Sequence, residues 1–84
     1  MKPIRISKHA EDSCNKRGAT NDEVFSAIKH GTRESAKLGR TMCRLNFEFN
    51  EIWENKFFST KQVAPVIVEE DNEIVVVTVY TYYF

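Results

Sequence analysis

No stretch of this sequence approaches the roughly 18 consecutive apolar residues of a membrane-spanning helix. Its opening, MKPIRISKHAED, holds no apolar core of a secretory leader. A cytoplasmic protein that neither enters a membrane nor is exported is therefore expected. Cysteine is scarce, with only Cys14 and Cys43, far apart. A small exported domain stapled by disulfides carries more, so the pair reads as reduced thiols, a single disulfide being the alternative. The three glycines are scattered and form no phosphate-cradling loop. There is no C-x-x-C or H-x-x-x-H spacing, and His9 and Cys14, five apart, fall on different sides of a helix. Neither a metal nor a cofactor is expected. No repeat, low-complexity tract or linker divides the 84 residues, which suit one domain, residues 1–84, around one core.

Net charge is absent as well, but its distribution is uneven. Residues 1–44 carry ten Lys/Arg against five Asp/Glu, and residues 45–84 carry two against seven. The basic half suits an anionic partner such as RNA or a carboxylate-rich protein. Equally, the two halves can attract each other across the fold.

What the chain does have is a strongly patterned C-terminal end. In Glu73 to Tyr83, Ile74, Val76, Thr78, Tyr80 and Tyr82 fall on one face of a strand and Val75, Val77, Val79, Thr81 and Tyr83 on the other. Both faces are apolar for most of the run, which predicts a strand in the middle of a covered sheet. The first face turns polar and aromatic at Thr78, Tyr80 and Tyr82, where a groove would end.

The rest of the chain supplies the elements around that strand. Pro3 to Ile6 reads as a short extended lead-in at an edge. Ser7 is a suitable N-cap for a helix from Lys8 to about Arg17, and Gly18 suits its left-handed C-terminal cap. Ala10 and Cys14 form the narrow apolar stripe, with His9, Ser13 and Arg17 on the neighbouring one. Thr20 and Glu23 form a capping box for a second helix running to about His30, with Val24, Phe25 and Ile28 buried. Thr32 to Arg40 reads as a loop. From Thr41, Cys43, Leu45, Phe47 and Phe49 alternate with Met42, Arg44, Asn46 and Glu48, the mark of a strand with one face on the core. Asn50-Glu51 would then turn it into a second strand, Ile52 to Phe58, weakened by Glu54-Asn55-Lys56. Gln62 to Glu69 reads as a third, placed at an edge or a bulge by Pro65. Glu70-Asp71-Asn72 closes a hairpin into the last. The fold class expected is α+β: two N-terminal helices, then a four-stranded antiparallel sheet.

One constellation has chemistry. His9 can move a proton near neutral pH. Arg17, Arg44 and Arg40, with Lys61 similar in type, can grip a phosphate and stabilise charge developing on it. The hydroxyls of Thr78 and Tyr80 can orient the same group, and the Tyr80 ring can stack a base. These are the parts of a metal-independent ribonuclease. Each also has a plainer role open to it. His9 can bond a neighbouring strand, Arg17 can meet the last carbonyls of its own helix, and Thr78 and Tyr80 can be ordinary strand residues.

The run I-S-K-H-A, the pair Arg17-Gly18 eight positions after His9, the acid-capped helix and the C-terminal V-V-T-V-Y together resemble the prokaryotic family called domain of unknown function 4258. That family opens on H-A-x-x-R-x-x-x-R-G-I and ends on a strand with a T-x-Y-like finish. His9, Ala10, Arg17, Gly18, Thr78 and Tyr80 fit the pattern, while Ser13 stands where the first arginine is usual and Ala19 where isoleucine is. The resemblance spans nearly the whole chain. It implies a fold similar to RelE-like and barnase-like toxins and a metal-independent endoribonuclease that cleaves RNA through 2′-hydroxyl attack, restrained by a small antitoxin. In that reading His9, Arg17 and Tyr80 are catalytic, and Arg44, Thr78 and Arg40 bind substrate. The reading from a different class is a non-catalytic interaction module that pairs with a partner or with itself through the aromatic tail Tyr82, Tyr83 and Phe84.

Overall fold

The computed structural model describes residues 1–84. Its elements are β1 (Ile4–Ile6), α1 (Lys8–Arg17), α2 (Asn21–His30), β2 (Thr32–Ser35), β3 (Thr41–Trp53), β4 (Lys56–Glu69) and β5 (Ile74–Tyr83), with a single 3-10 turn at Lys37–Gly39. The α+β class and the two helices are as expected. The sheet differs: it has five strands in the order β1-β5-β4-β3-β2, and it is mixed, because β1 runs parallel to β5.

Both helices form where their caps place them. The Ser7 side chain accepts from the Ala10 amide, and Gly18 ends α1 in the left-handed region at φ 78°. Thr20 and Glu23 complete the capping box of α2. Val24, Ala27 and Ile28 are its buried residues, whereas Phe25 lies half-buried at its flank. Val24 and Ile28, with Ala10 and Cys14, pack on Cys43, Val63, Ile67, Ile74, Val76 and Val79 to form one core. Cys14 and Cys43 are free thiols inside it, their pKa raised chiefly by burial. No helix is long and apolar enough to cross a membrane.

Four expectations about the strands need correction. First, the segment read as a loop contains β2, which pairs with Thr41–Arg44 although all four of its residues are exposed. A strand held by backbone pairing and by polar side chains, here Arg33 and Glu34, leaves no hydrophobic alternation to read. Second, the chain does not turn at Asn50-Glu51. Asn50, at φ 49°, makes a bulge within β3, and the register shifts between Glu48 and Glu51. The turn comes at Glu54 and Asn55, both at positive φ (48° and 68°), as a two-residue type I′ hairpin between Trp53 and Lys56 requires. The expected strand Ile52 to Phe58 thus straddles the turn of one long hairpin whose arms are β3 and β4, and Gln62 to Glu69 continues the second arm. Third, of the edge or bulge expected at Pro65 the edge is wrong: the residue lies in β4, the central strand, beside the register shift between Val66 and Ile67. Its missing N–H shows as a gap in the β3–β4 ladder between the Met42–Val66 and Leu45–Val63 pairs.

The fourth correction decides the site. The β4–β5 pairing passes from Val66–Thr78 to Ile67–Val76, so Val77 is an extra residue on β5. Strict alternation therefore breaks there. Ile74 and Val76 share the core with Val79, while Thr78, Tyr80 and Tyr82 turn to the opposite face. Nor is β5 central throughout, since β1 covers its outer edge only at Ile74–Val76. Beyond that point α1 takes over: Ser7 Oγ donates to the Val77 carbonyl at 3.4 Å and Arg17 Nη1 to the Val79 carbonyl at 2.7 Å.

Candidate functional site

The face of the sheet away from the core cluster carries a cavity of about 480 Å³. Its floor is Met42 and Arg44 from β3, Val66 from β4, and Thr78, Tyr80 and Tyr82 from β5. The segment from Glu34 to Arg40, crossing from β2 to β3, forms its wall. Leu38 in that wall holds a positive φ of 62° and is 84% exposed. The wall also places Lys37 and Arg40 on the cavity, and neither makes an ion pair.

Two tyrosine rings and two guanidinium groups organise this groove. Tyr80 and Tyr82 are two residues apart on a strand, so their rings stand side by side, with centroids 6.5 Å apart and planes 22° from parallel. Arg17 lies over the Tyr80 ring at 5.0 Å and Arg44 over the Tyr82 ring at 5.5 Å. Arg44 is also held by Glu34, to which its Nε donates, and by Gln62 Oε1 at 2.9 Å. The Glu34 hydrogen bond raises the Arg44 pKa further, so this cation is permanent. Both tyrosines keep 38% and 41% of their surface in water. The result is a wet, aromatic and cationic surface.

The opposite face shows why Arg17 stands where it does. Tyr83 Oη donates to the Arg17 carbonyl at 2.7 Å, and Lys61 Nζ donates to the Gly18 carbonyl at 2.9 Å. Two carbonyls at the end of α1, left without helical partners, are thus satisfied by β5 and β4. Trp53 stacks on Tyr83 at 4.8 Å, with Phe49 and Phe58 against the same ring. A Cβ at position 18 would lie 2.6 Å from Tyr83 Oη and 2.8 Å from Trp53, so only glycine fits that contact. This clamp fixes the end of α1, and Arg17 reaches from it to Val79 and Tyr80.

Of the residues singled out in the sequence, Arg40, Arg44, Thr78 and Tyr80 line one groove, and Arg17 touches it through Tyr80. His9 does not line it: its side chain is exposed and makes no hydrogen bond, to a neighbouring strand or otherwise. The link between α1 and the groove is Ser13, one turn on, whose hydroxyl lies 3.3 Å from Thr78 Oγ1 and also donates to the His9 carbonyl at 3.0 Å. Lys61 is on the other side of the sheet, nearly buried and paired with Glu23 at 2.8 Å. The aromatic tail is divided: Tyr82 joins the groove, Tyr83 packs inside, and Phe84 is exposed while its backbone pairs with Thr60. Sequence reasoning passed over Lys37 and Glu34, whereas the groove expected at Thr78, Tyr80 and Tyr82 is where the two-residue spacing put it.

No protein-family model, curated protein or solved structure matches this chain. The reading of the groove rests on its own geometry.

Proposed function

We propose that this domain binds single-stranded RNA in the groove of β3, β4 and β5 and cleaves it without a metal, as toxin-type endoribonucleases do. The supporting observation is the pairing of two exposed tyrosine rings with Arg17 and Arg44, beside Arg40 and Lys37, which make no ion pair. Flat rings accept unstacked bases and the cations accept the phosphates between them. In this reading Tyr80 stacks a base, and Arg17, Arg40 and Arg44 hold the scissile phosphate. Thr78 orients that phosphate through its hydroxyl. His9, one turn from Ser13 on the same stripe of α1, is the proton-transfer group. A base takes the proton of the 2′-hydroxyl, the 2′-oxygen bonds to phosphorus, and the bond to the 5′-oxygen breaks as that oxygen is protonated. The products are a cyclic phosphate and a 5′-hydroxyl end. The resemblance to domain of unknown function 4258 supports this reading, and carries with it a RelE-like fold, a small antitoxin-like partner and a cytoplasmic setting.

A second reading, a non-catalytic binding module on the same fold, is favoured by one observation: His9 stands outside the groove. One experiment separates the two. Binding of a fluorescent single-stranded oligoribonucleotide is followed by anisotropy, and its cleavage on a gel in the presence of a chelator. Tyr80→Ala weakens binding about tenfold or more, the worth of one base stack. His9→Ala leaves binding intact and slows cleavage by about 10²-fold or more, the usual contribution of a proton-transfer group. Binding without cleavage in the wild type establishes the module reading. Absence of both removes RNA as the ligand.

A further inference from the structure

The hairpin of β3 and β4 extends the molecule to 42 Å against 24 and 23 Å in the other directions. β2 covers the outer edge of β3 only at Thr41–Arg44, so residues 45–53 form an uncovered edge. The gap opposite Pro65 reveals which groups face outward there. A proline cannot close a hydrogen-bonded pair, and the pairs missing from the ladder are those of Cys43 and Arg44, opposite Pro65 and Ala64. That pattern arises when odd-numbered residues of β3 bond to β4 and even-numbered ones face away. Asn46 and Glu48 therefore point N–H and C=O outward, and no backbone hydrogen bond from elsewhere in the chain meets them. The two-residue turn between Trp53 and Lys56 gives Ile52 the same outward direction beyond the bulge.

The side chains along this edge share one character. Glu48, Glu51 and Glu54 are exposed, and none makes an ion pair. Ile52 and Phe57, directly opposite each other across the hairpin, are 63% and 57% exposed. An acidic edge with an apolar tip repels RNA and also repels a second copy of itself, since edge-to-edge pairing would bring the two sets of carboxylates together. It is complementary to one kind of ligand.

We infer that the outer edge of β3 takes an added strand from a partner protein, an extended segment in which basic and apolar residues alternate. Main-chain hydrogen bonds to Asn46 and Glu48 hold the segment, its lysines or arginines meet Glu48 and Glu51, and its apolar residues reach Ile52. The groove on the sheet face stays free, so the site is independent of the RNA reading.

The test uses the intact protein and two synthetic nine-residue peptides, one alternating Lys and Val, the other Glu and Val. The Lys–Val peptide binds, the Glu–Val peptide does not, and amide exchange slows at Asn46 and Glu48 on binding. Glu48→Lys and Glu51→Lys, surface changes that leave the fold intact, each weaken binding about two- to fivefold. Asn46→Pro removes an outward N–H, which an edge strand tolerates, and abolishes binding. Tyr80→Ala leaves it unchanged. Equal binding of both peptides, or undiminished binding with both Glu variants, overturns the proposal. So does sedimentation showing that the chain alone closes this edge as a dimer.

Discussion

The helix-covered face of the sheet holds Val63, Ile67, Val76 and Val79 at 1% exposure or less beneath Val24 and Ile28. The opposite face leaves Tyr80 and Tyr82 at 38% and 41%. Both faces are made from the same strands, and β5 contributes to each along its length. Charge divides in the same way. The covered side keeps Lys61, locked to Glu23, and Arg33, which donates to the Ile28 carbonyl, while the groove collects Lys37, Arg40 and Arg44 with Arg17 alongside. A sheet in a chain this small can give only one face to its core, and the residues freed from packing on the other are the ones available for a ligand.

The largest contrast between the faces should appear in stability. Ile28→Ala, 1% exposed, costs about 2–5 kcal/mol by denaturant unfolding, whereas Tyr80→Ala, removing a larger side chain from the open face, costs less than about 1 kcal/mol. Equal losses would mean the groove is part of the core. Next is the clamp on α1. Gly18→Ala meets both a left-handed φ of 78° and the 2.6 Å contact with Tyr83 Oη, and costs about 1–2 kcal/mol. Because the same clamp positions Arg17, RNA binding should weaken in that variant even at temperatures where it is folded.

The smallest effect is a dependence on pH. Burial, then the fields of Glu23 and Glu54, push the Tyr83 phenol from 10.0 up to about 12. The folded state thus holds this proton more tightly than the unfolded state does. The stabilisation is complete below about pH 10 and is lost as pH rises through about 12. Melting temperatures across that range should fall more steeply for the wild type than for Tyr83→Phe. Parallel curves would place Tyr83 in water, outside the clamp.

The sequence was a good guide wherever a local rule governs the backbone. Ser7 with Gly18 bounds α1, and Thr20 with Glu23 starts α2, because caps satisfy amides and carbonyls within a few residues of themselves. The alternation from Thr41 to Glu48 correctly put Arg44 opposite Cys43 and Phe47. It misled where one residue shifts the register. Asn50 moved the hairpin turn to Glu54-Asn55, and Val77 moved Val79 into the core in place of Thr78. Neither residue is a glycine, and nothing in its neighbours marks a bulge. Pro65 was read as an edge or a bulge, and it lies inside the sheet, beside the register shift between Val66 and Ile67.

The candidate site divides along the same line. Arg17, Arg40, Arg44, Thr78 and Tyr80 were chosen for their chemistry, and the fold brings them together around one groove. His9, chosen for the same reason, stays outside it, and Lys61 crosses to the core side. By itself the sequence determined the α+β class, the two capped helices, the patterned strands and the segregation of charge between the halves, because these follow from local propensity and composition. Only the tertiary structure decided which strands are neighbours, which face each side chain takes beyond a bulge, and where the sheet's edge is left bare. Those outcomes depend on pairings between residues far apart in the chain, and a one-residue slip in such a pairing turns a side chain from core to solvent.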